Sequence, residues 1–239
     1  MKKSHIVDNI EKYYLNGLTK QVVWIVKDNK AEVEFATETK NAVGKVIFDV
    51  ELPDGPLAIY STDALLRLLG ITSEEIQIEL SKNNTGLVDK LKIQDNKFDL
   101  NYHLSDISVI PEVPNVQTVD FDFNFKVDDE FISGFLKAHN ALEKTEDVTL
   151  NTTTTKQGEN VVEIVLGERS QHSHKVKFTE VAEFTTQSDL IPFSANVLRE
   201  ILAANKGTEG QIQVSNKGLM KLEFNSDTSS AEYFVVRQQ

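Results

Sequence analysis

The side chains best suited to bind a metal ion are sparse in this sequence. The 239 residues include five histidines and no cysteine. His172 and His174 alternate along a possible strand, so their imidazoles could share one face, which is the minimum for a metal-binding pair. No third ligand lies nearby in the sequence, and Gln171-His172-Ser173 is typical of a polar loop. We therefore expect neither a metal site nor any other cofactor.

Two acidic clusters are better explained by structure than by chemistry. The Asp-Asp-Glu run at 128–130 could ligate a cation, but it directly precedes an apolar run and so predicts the start of a helix. In the segment 120–125, Asp and Asn alternate with Phe, as in a strand with one buried and one solvated face. Neither cluster predicts a catalytic site.

No sequence motif of a familiar catalytic centre is present. The chain lacks the Gly-x-Ser-x-Gly elbow, the phosphate-binding P-loop, the His-Glu-x-x-His zinc motif and the Gly-x-Gly-x-x-Gly dinucleotide fingerprint. The absence of cysteine also excludes disulfides and a thiolate nucleophile. An acidic hydrolase would need a convergent nucleophile and base, and the sequence offers no such pair. We predict that the protein is not an enzyme.

The charge balance limits the kind of partner that the protein can bind. Asp and Glu number 37 against 25 Lys and Arg, which gives a formal net charge of −12. This balance argues against indiscriminate wrapping of nucleic acid but permits a local basic surface. No apolar run is long enough to span a membrane, and the charged N-terminal segment opens no signal peptide. We expect a soluble cytoplasmic protein.

Internal repetition is the most informative feature of the chain. Amphipathic helices are predicted to begin near Lys3, Thr62, Asp128 and Ala195, at intervals of about 60 to 70 residues. About three extended segments follow each helix, and a short strand precedes three of the four. The sequence therefore predicts an α+β fold in which a helix followed by antiparallel strands is used four times.

A proline-containing segment divides this repeat into two halves. Pro111 and Pro114 forbid a helix and remove two backbone donors, as expected of a stiff connector. We predict an N-terminal domain over residues 1–110, a connector over 111–117 and a C-terminal domain over 118–239. Each domain would contain two of the four repeats.

The outward face of each predicted helix is richer in basic residues than the chain as a whole. Of nine charged positions on these faces six are basic, although acidic residues outnumber basic ones overall. Ordinary solvated helix faces would explain part of this pattern, so that reading stays open. The basic positions are Lys12, Arg67, Lys137, Lys144, Arg199 and Lys206.

Three regions of the chain resemble the DNA polymerase sliding clamps of T-even-type bacteriophages. The first is the strand Leu57-Ala58-Ile59-Tyr60 with the leucine-rich helix at 64–69. The second is the proline connector followed by a strand and the helix at 131–142. The third is the C-terminal stretch 217–224 with Tyr233-Phe234-Val235-Val236. One departure follows Tyr60, where clamps of this family carry Asp and this chain has Ser61.

The resemblance implies a fold, an assembly and a set of partners. It implies the DNA-clamp fold and a homotrimeric ring that encircles double-stranded DNA without sequence specificity and tethers the replicative DNA polymerase. The partners implied are that polymerase, an ATP-driven clamp loader and two further copies of the chain. The location implied is the cytoplasm of the infected bacterial host.

The same resemblance implies roles for particular residues. The six basic residues of the outward helix faces would face DNA, and edge strands near Phe98–Leu104 and His174–Phe178 are candidates for the subunit interface. Partner peptides would dock in an apolar pocket beside the connector, formed by Val109, Ile110, Val113 and Phe234.

A different class of protein also fits the composition. An acidic, oligomeric phage structural or assembly protein with no DNA-encircling role would share the net charge and the lack of cysteine. The outward helix faces discriminate the two classes, because a structural protein has no reason to keep those faces basic.

Overall fold

The computed structural model of the chain describes residues 1–84, 86–117, 119–142, 145–167, 174–185 and 187–238. Within these ranges the fold is α+β, and each helix is followed by three strands, as the repeat predicts. None of the helices in these ranges is long and apolar enough to cross a membrane. The helices are α1 (Lys3–Tyr14), α2 (Thr62–Gly70), α3 (Asp129–Asn140) and α4 (Ala195–Ala204).

The four helix starts agree with the prediction to within one residue, and local capping explains three of them. The side chains of Ser61, Asp128 and Ser194 each accept a hydrogen bond from the backbone N–H three residues later. Helix α1 has no such local cap. Instead, the carboxylate of Glu74 accepts a hydrogen bond from the backbone N–H of Ser4 at 3.2 Å.

The strands account for most of the remaining ordered chain. Every pair of neighbouring strands whose residue pairing the structure describes is antiparallel. The strands are β1 (Val22–Lys27), β2 (Lys30–Ala36), β3 (Ala42–Asp49), β4 (Gly55–Ile59), β5 (Gln77–Lys82), β6 (Val88–Gln94), β7 (Asp99–His103), β8 (Phe123–Val127), β9 (Asp147–Thr154), β10 (Asn160–Leu166), β11 (Val176–Phe184), β12 (Ile191–Ser194), β13 (Gly210–Ser215), β14 (Leu219–Asn225) and β15 (Ser229–Val236).

The chain divides into two compact units, each of which includes a pair of helices. The first unit consists of Met1–Glu38, Gly44–Pro114 and Asp227–Ala231, and it contains α1 and α2. The second consists of Thr39–Val43, Asn115–Ser226 and Glu232–Gln239, and it contains α3 and α4.

In the first unit, α1 packs on a sheet with the strand order β3-β2-β1-β4, and β5-β6-β7 form a separate sheet. Trp24 of β1 is the largest fully buried side chain, in agreement with its alternation with valines. Its ring centroid lies 5.3 Å from that of Phe48, and its indole N–H donates to the Tyr13 hydroxyl at 3.1 Å. This hydrogen bond ties α1 to the sheet and satisfies a polar group that burial would otherwise make costly.

The second unit has the strand order β12-β9-β10-β11-β8-β13-β14-β15. Phe131 of α3 anchors the helix to the sheet, with ring centroids 5.7 Å from Phe125 and 6.0 Å from Phe178. After the end of α4, Asn205 donates to the Tyr233 hydroxyl at 2.8 Å. Both helices of this unit are therefore held by aromatic side chains from the strands.

The alternating segment 120–125 is only partly a strand. β8 begins at Phe123, and the carboxylate of Asp122 accepts a hydrogen bond from the backbone N–H of Asn216 at 2.6 Å. The side chain of Asp122 therefore stabilises the turn between β13 and β14, and the observed strand begins later than the predicted one.

Several strands have an edge without a strand partner in the described part of the chain, and β7 and β11 are two of them. β7 pairs only with β6. β11 pairs with β10 along residues 176–181 and with β8 only along 182–184. These free edges coincide with the segments Phe98–Leu104 and His174–Phe178, for which the sequence analysis predicts a role in the subunit interface.

Candidate nucleic-acid interface

Helices α3 and α4 pack against each other and present a basic surface. Phe131, Ile132 and Phe135 of α3 are buried in the unit. On the outward side Lys137 and Lys206 are exposed and Arg199 is partly exposed, as the helical periodicity predicts. Among the described residues, neither Lys137 nor Lys206 has an ion-pair partner. We refer to Lys137, Arg199 and Lys206 as the α3–α4 basic face.

Arg199 forms an ion pair with its neighbour Glu200, whose side chain is only 9% exposed. His139 of α3 lies beside this pair. Burial and the positive charge of Arg199 lower the pKa of His139, while a hydrogen bond with Asn140 and the charge of Glu200 act in the opposite direction. Arg199 of the α3–α4 basic face therefore belongs to a partly buried cluster that also contains Glu200 and His139.

The sequence analysis missed His139 and Glu200. Each lies on the boundary between the buried and the outward side of its helix, where the helical periodicity does not decide whether a residue is buried or exposed. The pairing of α3 with α4 brings the two residues to one place, and no local sequence signal reports that pairing.

For Lys12 of α1 the predicted outward position is wrong. Lys12 is 8% exposed, and its ammonium donates to the Ser229 hydroxyl at 2.6 Å. Burial lowers the pKa of Lys12, and the charge of Asp8 opposes this. The physical reason is that residue 12 borders the buried stripe of α1, where a long lysine stem packs under the start of β15 while its ammonium finds a polar partner.

Asn9 of α1 is buried in the same way although it is polar. It is 2% exposed, and its amide donates to the backbone carbonyl of His5 at 2.8 Å. The buried stripe of α1 is therefore wider than the apolar residues alone indicate.

Arg67 of α2 is exposed as predicted, and it forms an i,i+4 ion pair with Asp63. Its positive charge is consequently offset on the same helix. On the neighbouring helix, Asp8 and Glu11 are exposed. The α1–α2 surface thus lacks the basic character of the α3–α4 basic face.

The remaining residues of the sequence analysis can be placed only in part. Lys144, which is predicted to face DNA, and His172, one of the two histidines considered as a metal-binding pair, lie outside the described residues. His174, the other histidine, is exposed just before β11. Within the described ranges, no group of three or more His, Cys, Asp or Glu side chains could hold a metal ion.

The predicted peptide pocket involves residues from both units. Val109 ends a short 3₁₀ helix, Ile107–Val109, and Ile107 and Val109 are exposed beside β4 in the first unit. Phe234 belongs to the second unit, where the Lys221 ammonium lies 5.8 Å from the centroid of its ring. A pocket formed by these residues with Ile110 and Val113 stays a prediction.

Comparisons with known proteins identify the fold. No protein-family model and no curated protein sequence matches the chain. Proliferating cellular nuclear antigen (PCNA) from Entamoeba histolytica matches with a TM-score of 0.76 at 13% identity, covering 100% of this chain and 96% of that chain.

Two further solved structures match over similar lengths. PCNA from A. fulgidus, solved with the C-terminal region of FEN-1 bound, matches with a TM-score of 0.74 at 13% identity, covering 100% of this chain and 97% of that one. The PCNA2–PCNA3 complex from Sulfolobus tokodaii matches with a TM-score of 0.72 at 9% identity, covering 100% and 98%. The chain therefore has the DNA-clamp fold, which confirms the fold class predicted from the sequence.

Proposed function

We propose that this protein is a sliding clamp that encircles double-stranded DNA as a ring of three chains and performs no chemistry of its own. The observation that carries the proposal is the position of three basic residues in a chain with the DNA-clamp fold: Lys137 is exposed on α3, Arg199 is partly exposed on α4, and Lys206 is exposed just after the end of α4. An acidic chain with this fold has little other reason to keep a basic helical face.

The proposed mode of DNA binding follows from the chemistry of these side chains. A duplex carries one negative charge per roughly 1.7 Å of its axis, and contacts to phosphate carry no sequence information. Lys and Arg on rigid helices attract the duplex without reading its bases, so the ring slides. The net charge of −12 per chain repels DNA from the other surfaces and confines it to the hole.

The proposed trimer uses the free strand edges. β7 and residues 176–181 of β11 each offer unpaired backbone donors and acceptors on one side, and a second copy of the chain can supply the missing strand. The related structure named as a PCNA2–PCNA3 complex contains clamp subunits that associate with one another. Two domains per chain then require three chains for a ring of six domains.

The proposed partners dock beside the connector. The A. fulgidus structure contains a C-terminal region of FEN-1 bound to PCNA, which supports a peptide-binding role for the apolar residues Val109, Ile110, Val113 and Phe234 here. The partners we propose are a replicative polymerase and an ATP-driven clamp loader. On the resemblance described above, we propose that the protein acts in T-even-type phage replication, in the cytoplasm of the infected host.

The proposal is tested with a double charge reversal on the basic face. Clamps are threaded onto a linear duplex through its free ends, the ends are then blocked with streptavidin, and the clamp retained is measured before and after a restriction cut. Wild-type protein should stay on the blocked duplex and leave when it is cut, whereas Arg199→Glu with Lys137→Glu should lose most of its retention.

A matched control distinguishes the effect of charges on the α3–α4 basic face from the effect of the net charge of the chain. Lys156 and Lys217 are exposed in hairpin turns of the same unit, so Lys156→Glu with Lys217→Glu changes the net charge equally. This control should be retained like wild type, and both variants should keep the trimeric mass. Undiminished retention of the Arg199 and Lys137 variant would refute the DNA-facing assignment. A wild-type trimer that binds no DNA would favour the structural or assembly role.

A further inference from the structure

The exposed charged side chains of the two helix pairs of this chain are arranged differently. On the basis of the proposed function, we infer that the duplex is held by the α3–α4 basic face alone, while α1 presents an acidic surface that repels it. The DNA-binding strength of each chain then resides in one of its two units.

The basic side chains of α1 and α2 are all engaged within the first unit. The ammonium of Lys3 donates to the backbone carbonyl of Thr72 at 2.7 Å, and an imidazole nitrogen of His5 lies 2.9 Å from the carbonyl of Asp49. Lys12 is buried against Ser229, and Arg67 is paired with Asp63 as described above. None of these side chains can approach a phosphate without giving up a protein contact.

The acidic side chains of α1 have the opposite arrangement. Asp8 and Glu11 are exposed and lie three residues apart, so they are neighbours on the same side of the helix. A phosphate that approaches this side meets two carboxylates, whereas the ammonium of Lys12 is buried and cannot contact it directly. The surface of α1 therefore disfavours close approach of DNA.

Among the described residues, the acidic side chains of α3 and α4 form no ion pair with Lys137 or Lys206, although Glu130 is exposed in the first turn of α3, seven residues before Lys137. Asp129 lies in the first turn of α3 and accepts a hydrogen bond from the backbone N–H of Gly207 at 2.7 Å. Glu200 is buried against Arg199. Lys137 and Lys206 therefore remain as exposed ammonium groups with no acidic neighbour in contact among the described residues.

Salt dependence measures which side chains contact phosphate. The logarithm of the binding constant falls with the logarithm of salt concentration by about 0.9 per phosphate neutralised. The loss of one phosphate contact per chain should therefore reduce the slope of log binding constant against log salt by about 1. For each contact present, raising the salt from 50 to 200 mM weakens binding about threefold.

The experiment measures affinity for a linear duplex from 50 to 200 mM salt for single and paired neutral variants. Lys137→Ala and Lys206→Ala should each weaken binding about threefold to tenfold at low salt and lower the slope. Arg67→Ala should leave both the affinity at low salt and the salt slope within about 1.5-fold of the wild-type values. Asp8→Asn with Glu11→Gln should strengthen binding severalfold at low salt, since a repulsive charge pair is removed.

The control is Glu51→Gln with Glu79→Gln, which changes the net charge equally at exposed positions of the same unit outside the helices. It should change affinity much less than Asp8→Asn with Glu11→Gln. An effect of Arg67→Ala equal to that of Lys137→Ala, or no difference between the two acidic pairs, would overturn the inference while leaving the clamp function intact. Absence of any salt-dependent binding by wild type would overturn both.

Discussion

Lys12 and Lys137 show how differently one residue type behaves on two helices of similar pattern. Lys137 is exposed on α3, whereas Lys12 is buried on α1 with its ammonium bonded to Ser229. The two lysines differ in what packs over each helix. Lys12 is covered by the segment around Ser229, which lies 217 residues later in the sequence. Helical periodicity alone cannot separate the two cases.

The burial of Lys12 predicts a stability effect rather than a DNA effect. Lys12→Ala should lower the free energy of unfolding by about 1–3 kcal/mol, because it removes a packed stem and leaves Ser229 without this donor. Lys137→Ala should change it by less than about 0.5 kcal/mol, as expected of an exposed site. Urea unfolding of both variants checks this, and equal losses would contradict the assigned burial of Lys12.

His139 should make the stability of the second unit pH-dependent. Its pKa in the folded protein is lowered from 6.5 by burial and by Arg199, so the folded state favours the neutral imidazole. As pH falls below about 6.5, the unfolded chain takes up this proton first and stability is lost down to the folded pKa.

A substitution isolates this contribution. Because His139→Gln does not titrate, wild type should lose more stability than His139→Gln when pH is lowered from 7.5 to 5.5. Urea midpoints measured for both proteins at the two pH values test the prediction. Parallel shifts of the two midpoints would show that His139 does not contribute.

At the scale of elements, the helix starts are the most predictable features. Ser61, Asp128 and Ser194 each sit directly before an apolar helical pattern, and each caps the helix that follows. Such caps are local, because the acceptor and the donor lie three residues apart, and so the sequence carries the whole signal. The start of α1 depends on Glu74 from another segment and is predictable only from its apolar periodicity.

The cap of α3 gives a testable consequence. The carboxylate of Asp128 accepts from the backbone N–H of Phe131 at 2.8 Å, and it lies at the positive end of the helix dipole. Asp128→Ala should therefore destabilise the protein by about 1 kcal/mol. Asp120→Ala removes an exposed carboxylate without a helix to cap, and its urea midpoint should match that of wild type. Equal midpoints for the two variants would contradict the capping role.

At the scale of the whole molecule, the proposed trimer makes a prediction about mass. Sedimentation across a dilution series should give a species near three times 26.9 kDa. A stable monomer at high protein concentration would contradict the ring, and with it the mechanism by which DNA is held.

The free edge of β11 should be needed for that assembly. Val181 is 64% exposed at this edge, so Val181→Asp should place a charge in the interface and shift the mass toward a single chain. Ile25 is 49% exposed on β1, which is paired on both sides, so Ile25→Asp serves as the matched control and should leave the trimer intact. Equal effects of both variants would argue against β11 as the interface.

The amino-acid sequence by itself determined the repeat, the helix positions, most strands and the α+β class, whereas the clamp architecture was implied by the family resemblance. These features depend on periodicity, capping and turn residues, which act over a few positions along the chain. It also identified Lys137, Arg199 and Lys206 as outward residues, because the exposed side of a helix is opposite its apolar stripe.

Only the tertiary structure decided which charges are available for binding. The burial of Lys12, the position of Glu200 beneath Arg199 and the proximity of His139 to both depend on segments that are distant in sequence or on separate helices. The exposure and the electrostatic environment of a long charged side chain are set by whichever segment packs over it. That long-range packing leaves no pattern near the residue itself.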